Sequence, residues 1–221
     1  MKKINNVGII LAGGIGARFK GDKPKQYFEI NGKEMIWYSI NAFKNSKTTD
    51  AIIVVLNEEE FTSKRIEKEY GVITVVGGPT RNKSFKNALN YINEHFPDCE
   101  KIVENNAACP MVTSAIIDEY FDILDEYDYV QTTSKIVDAL GSYKNRNVNR
   151  DDYFLIQSPD GYKFKKLFEF FDENNSNGHP AVQLPNDCVG FNYFDFGTNI
   201  KATYPEDLII IGEIMNKKSG H

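Results

Sequence analysis

Residues 7–26 read VGIILAGGIGARFKGDKPKQ, and this stretch decides the fold. Val7, Gly8, Ile9, Ile10 and Leu11 form an apolar run that stops at Ala12, Gly13, Gly14, Ile15 and Gly16. A β-branched run ending in glycines predicts a buried strand that leads into a loop. Glycines let the backbone approach a ligand, and successive free N–H groups form a concave anion site. Arg18, Lys23 and Lys25 follow and bring positive charge to the same loop. The expected ligand is a polyphosphate. The loop is neither a P-loop nor a dinucleotide fingerprint. No Lys follows Gly16, and Phe19 stands where the fingerprint requires a third Gly or Ala.

Outward from this loop, apolar strands alternate with amphipathic helices. Strands are expected at 7–11, 51–56, 72–76, 101–104 and 129–132. Helices are expected at 34–45, 58–70, 84–96, 113–126, 163–173 and 205–215, with Ser84 as an N-cap. This alternation predicts an α/β domain, a mostly parallel, Rossmann-like three-layer sheet. Ligands of such sheets bind outside the carboxyl ends of the strands. The opening loop, Gly77-Gly78 and Asn105-Asn106 all fall at such ends, so one pocket is expected to gather them. Residues 134–156 break the pattern. Two extended pieces flank the polar stretch SYKNRNVNRDD and predict a protruding β-arm.

The chain has 221 residues, 41% hydrophobic and 26% charged, with a formal net charge of −5. That length suits a single large domain, and the acidic balance argues against a nucleic-acid-binding surface. No apolar stretch approaches the roughly 20 residues of a membrane helix. Cys99, Cys109 and Cys188 have neither C-x-x-C spacing nor a histidine pattern for zinc. A cytoplasmic protein is expected.

The segment L-A-G-G-x-G-x-R followed by P-K-Q resembles the nucleotidyltransferases that join a nucleoside triphosphate to a phosphorylated sugar or polyol. The Pro24-Lys25-Gln26-Tyr27 form is most similar to the branch of methylerythritol-phosphate and ribitol-5-phosphate cytidylyltransferases. The similarity extends over nearly the whole chain. Residues 77–84, GGPTRNKS, resemble the branch's G-G-x-x-R-x-x-S segment, and residues 199–208 resemble its N-I-K-x-T-x-P-x-D-L signature. Gln157-Ser158-Pro159 is similar to its Q-T-P turn.

The resemblance implies CTP as donor, Mg²⁺ as cofactor, a small phosphorylated acceptor and a homodimer. It implies catalytic roles for Arg18, Lys25 and Lys201. Nucleotide binding would fall to Leu11, Ala12, Gly13, Gly14, Gly16, Gly78, Arg81, Ser84, Asn106 and Ala107. Arg150, or its neighbour Arg146, would reach from the arm into the other subunit's acceptor pocket. Asp187 and Asn106 would complete that pocket, with Asn106 also near the metal, directly or through water. The chain departs from the branch's H-D-A-x-R-P run, where Asn106 replaces the acidic residue and Cys109 the arginine. The identity of the acceptor is left open. Uridylyl or guanylyl transfer, or an inactive nucleotide-binding subunit, are the alternative readings.

Overall fold

The computed structural model describes residues 3–14, 16, 19, 21–175, 179–194 and 196–219. The first half contains β1 (Asn6–Ala12), β2 (Glu29–Ile30), β3 (Lys33–Glu34), α1 (Met35–Lys44), β4 (Ala51–Leu56), α2 (Glu58–Ser63), α3 (Arg65–Tyr70) and β5 (Ile73–Val76). The second contains α4 (Arg81–His95), β6 (Lys101–Asn106), α5 (Ser114–Glu126), β7 (Tyr129–Lys135), β8 (Phe154–Lys163), α6 (Phe164–Phe170), β9 (Gly190–Tyr193) and α7 (Pro205–Ser219). Seven strands form one sheet in the order β5-β4-β1-β6-β8-β7-β9. Neighbouring strands run parallel except at β8, which is antiparallel to β6 and β7. This is the expected mostly parallel α/β sheet.

Strand alternation divides the core in two. Val7, Ile9 and Leu11 of β1 pack with α4 residues Phe85, Leu89 and Ile92 on one face. Ile10 and Ala12 pack with α1 and α5 residues Ile40, Phe43, Ile117 and Phe121 on the other. Gly8 lets α1 approach closely, because a Cβ there would lie 2.4 Å from the Phe43 ring.

Several expected boundaries move. The helix expected at 58–70 is two short helices, broken where Lys64 adopts a left-handed φ of 57°. Ser84 is not the N-cap of α4. That cap is Thr80, whose side chain accepts from the Lys83 N–H, and Ser84 lies inside the helix. Gln157-Ser158-Pro159 does not form a turn but lies within the ten-residue β8. The arm is a strand pair only at its base, where residues 133–135 of β7 pair with residues 154–156 of β8. Between these strands, residues 136–149 contain neither strand nor helix. No helix among the described residues is long and apolar enough to cross a membrane.

Candidate active site

The order of connection reverses at β1, which has β4 on one side and β6 on the other. A crevice opens at such a switch point, outside the carboxyl ends of the strands. Here it is a cleft of about 640 Å³. Leu11 to Gly14 line it after β1, Asn57 and Glu58 after β4, Gly77 to Arg81 after β5, and Asn106 to Ala108 after β6. The three strand ends expected to meet do meet, joined by a fourth from β4. Gly16 also lines the cleft and has a φ of 68°, a conformation that favours glycine. A Cβ at Gly14 would have nothing within 4 Å, so the loop leaves open space there. Arg18 lies outside the described residues.

Lys25 begins the 3-10 turn Lys25–Tyr27 that closes the loop. Its Nζ donates to the Ala202 carbonyl at 2.8 Å. The Gln26 side chain donates to the Ala12 carbonyl at 2.6 Å, fixing the turn to the end of β1. The Ala202 N–H donates to the Ala108 carbonyl at 2.8 Å. Residues 201–203 are thus held between the opening loop and the loop after β6, and Lys201 lines the cleft with Lys25. The Ser84 hydroxyl bonds both polar groups of Gly78, accepting from its N–H at 3.0 Å and donating to its carbonyl at 3.3 Å. Ser84 therefore shapes the loop after β5.

A second cleft of about 480 Å³ adjoins the first, and Arg81, Asn106 and Lys201 line both. Its other walls include Cys109, Gln157, Ser158, Asp160, His179 and Asn199. The Asn106 side-chain oxygen accepts from the Ala108 N–H at 2.9 Å, and its backbone N–H donates to the Ser158 hydroxyl at 3.2 Å. Burial pushes the Cys109 thiol up to about 12, so it stays protonated and is no nucleophile. Arg81 Nη2 donates to Glu104 at 2.7 Å, and Glu104 is fully buried. That carboxylate, with buried Asp160, raises the Arg81 pKa and keeps the guanidinium charged between the clefts.

Two expected acceptor residues lie away from the clefts. Asp187 is exposed in the loop before β9 and lines neither. Arg150 sits on the arm, where it donates to the Val137 carbonyl at 2.5 Å. Sequence reading missed Glu104, Asp160, His179 and Asn199. Glu104 carried a signal, as an acidic residue that follows Ile102 and Val103 at the end of a predicted strand.

Residues 7–217 match the profile of the family described as IspD, 2-C-methyl-D-erythritol 4-phosphate cytidylyltransferase. The chain belongs to this family. An IspD of Thermosipho melanesiensis is 30% identical, with 94% of this chain and 96% of that protein aligned. The bifunctional ribulose 5-phosphate reductase/CDP-ribitol pyrophosphorylase Bcs1 of Haemophilus influenzae is 29% identical over 99% of this chain and 50% of its own length. In fold, the chain matches the 4-diphosphocytidyl-2C-methyl-D-erythritol synthase of Anaerococcus prevotii with a TM-score of 0.80 at 20% identity. That match covers 96% of this chain and 99% of the other. IspD-family cytidylyltransferases transfer CMP from CTP to a phosphorylated sugar or polyol and are generally divalent-metal dependent.

Proposed function

We propose that the larger cleft binds CTP and the smaller one the phosphorylated acceptor, with transfer where they meet. The observation that carries this reading is the shared wall of Arg81, Asn106 and Lys201. An acceptor phosphate oxygen attacks the α-phosphorus of CTP there. The bond to the β-phosphate breaks, pyrophosphate leaves and a CDP-linked product forms. No protein nucleophile is required, so catalysis rests on positioning and charge stabilisation. The amides of residues 13–16 cradle the triphosphate, Lys25 and Arg18 offset charge on the leaving pyrophosphate, and Lys201 acts at the α-phosphoryl group. Gly78 and Ser84 shape the wall for the base.

The residues present fit Mg²⁺. Asn106 Oδ1 keeps a lone pair beyond its bond to Ala108. No group of three or more His, Cys, Asp or Glu side chains suited to a metal occurs among the described residues. The Asn106 oxygen lone pair suits a hard cation held chiefly by phosphate oxygens and water. Such an ion would neutralise phosphate charge.

The arm supports a homodimer. Val137 is 79% and Leu155 52% exposed, and Tyr143 is fully exposed. Pairing of two arms would cover these side chains and carry Arg150 to the neighbouring copy's acceptor cleft. Sedimentation as a monomer at micromolar concentration would remove both the dimer and that role. Cytoplasmic localisation fits this reading.

The test is pyrophosphate release with each of four nucleoside triphosphates against a panel of phosphorylated acceptors. CTP should be preferred by at least tenfold. Faster release from UTP or GTP overturns the choice of donor. Calorimetric CTP binding without release for any acceptor would leave a nucleotide-binding subunit.

A further inference from the structure

The turn that carries Lys25 is fastened from behind by a residue that lines neither cleft. Tyr27 ends that turn and is 3% exposed. The Arg65 guanidinium lies over its ring, 4.8 Å from the centroid. Arg65 opens α3 and is absent from the walls of both clefts. Among the described residues, three carboxylates hold its guanidinium. Nη1 donates to Glu34 at 2.9 Å, Nε donates to Glu60 at 3.3 Å, and Glu69 lies 3.6 Å from Nη1. Glu34 stands at the N-cap of α1, yet its side chain makes no cap bond and reaches Arg65 instead. One planar group therefore joins the turn, the start of α1, α2 and α3.

The break between α2 and α3 makes this junction possible. On a continuous helix, facing neighbours stand three or four residues apart, not five. Lys64 takes a left-handed φ of 57°, a conformation that L side chains rarely adopt. Such residues persist where their surroundings over-determine them. Here the break brings Arg65 to Glu60 of the preceding helix, while Glu69 lies one turn on within α3. Half-exposed ion pairs add little to stability one by one. Their effect here is geometric, since they fix the plane of the guanidinium over the ring. A planar fork can serve carboxylates along its edge and an aromatic ring on its face, as an ammonium cannot.

Tyr27 is coupled in turn to the glycine loop. Its neighbour Gln26 is bonded to the Ala12 carbonyl at the end of β1. The Lys25 stem packs on Gly16, where an added Cβ would lie 3.3 Å from Lys25 Cγ. A shift of the Tyr27 ring would therefore carry Lys25 along the rim of the larger cleft. A misplacement of about 1 Å that arises far from the chemistry can cost ~10² in rate. We propose that Arg65 is a positioning residue for cytidylyl transfer, acting through Tyr27 to set the Lys25 ammonium against the leaving pyrophosphate. This rests on the role given to Lys25 above.

The test is a double-mutant cycle on pyrophosphate release from CTP, with ribitol 5-phosphate or methylerythritol 4-phosphate as acceptor, whichever is turned over faster. Arg65→Gln should lower kcat/KM about tenfold, chiefly through kcat, because charge on the pyrophosphate grows as its bond breaks. In the Lys25→Ala background the same substitution should change kcat/KM less than about twofold, since the group it positions is gone. Glu34→Ala leaves Arg65 and Tyr27 in place and should cost about threefold with the same dependence on Lys25. It decides the matter if Arg65→Gln does not fold, and wild-type turnover of Glu34→Ala then overturns the proposal. Equal losses with and without Lys25 would make Arg65 a general brace of the fold and overturn it, as would wild-type turnover of Arg65→Gln. A costly Lys25→Ala beside a silent Arg65→Gln overturns this role alone. Lys25→Ala within about threefold of wild type overturns the role of Lys25 and that of Arg65 together.

Discussion

Lys25 combines two jobs in one side chain. It lines the larger cleft, the proposed triphosphate site, and its ammonium also holds the Ala202 carbonyl, 177 residues along the chain. Removing one preorganised donor from such a site typically costs ~10²–10³ in rate. Lys25→Ala should lose kcat/KM by that order, because charge on the pyrophosphate and the placement of Lys201 fail together. Turnover within about threefold of wild type in a pyrophosphate-release assay would take Lys25 out of the mechanism. The sequence pointed to Lys25 and Lys201 because each lies inside a short motif. It was silent on their link, which depends on where β1 and residues 201–203 meet. Glu104, Asp160 and Asn199 were harder to read, because none gains meaning until β6 and β8 lie side by side.

At the scale of elements, α5 is tied to the approach of β4 by a single carboxylate. Asp118 accepts from the Ser46 hydroxyl at 2.6 Å, the Thr48 hydroxyl at 2.7 Å and the N–H groups of Lys47 and Thr48. Partial burial pushes its carboxyl up, and these donors more than reverse that, leaving it below the ordinary value. A carboxylate with a depressed folded pKa stabilises the protein above its unfolded pKa of about 3.9, and the gain is lost as pH falls through the folded value. Asp118→Asn should therefore lose about 1.5 kcal/mol at pH 7 in urea unfolding, the low end of the scale for hydrogen bonds to a charged group because Asp118 is only half-buried. The difference from wild type should shrink below pH 4. A gap that does not vary with pH would show that packing, not charge, holds this corner. The elements themselves were legible where strands are continuously apolar, as in β1 and β4. β8 was only half legible, since Pro159, Asp160 and Gly161 interrupt its pattern. The break at Lys64 has neither Gly nor Pro to announce it.

Across the whole molecule, alternation of strand and helix implied the parallel sheet, and the sheet implied where ligands bind. The half of the site built at the strand ends around β1 could be anticipated from that rule. The other half depends on an antiparallel strand inserted between β6 and β7, and no local pattern specifies that insertion. The cores on the two faces of the sheet hold both halves rigidly, since β6 contributes to each and ends at Asn106.

That shared wall has a kinetic consequence. If Arg81, Asn106 and Lys201 serve both binding events, as proposed, each substrate is an effector of the other. Occupancy on one side alters the charge and the hydrogen bonds offered to the other, and linkage requires the two effects to be equal. CTP affinity measured with and without a saturating acceptor should change by the same factor as acceptor affinity measured with and without a non-hydrolysable CTP analogue. Initial-rate plots against both substrates should intersect rather than run parallel, because the reaction passes through a ternary complex. Parallel lines would mean that CMP is parked on the protein between half-reactions, and the two clefts would then be occupied in turn.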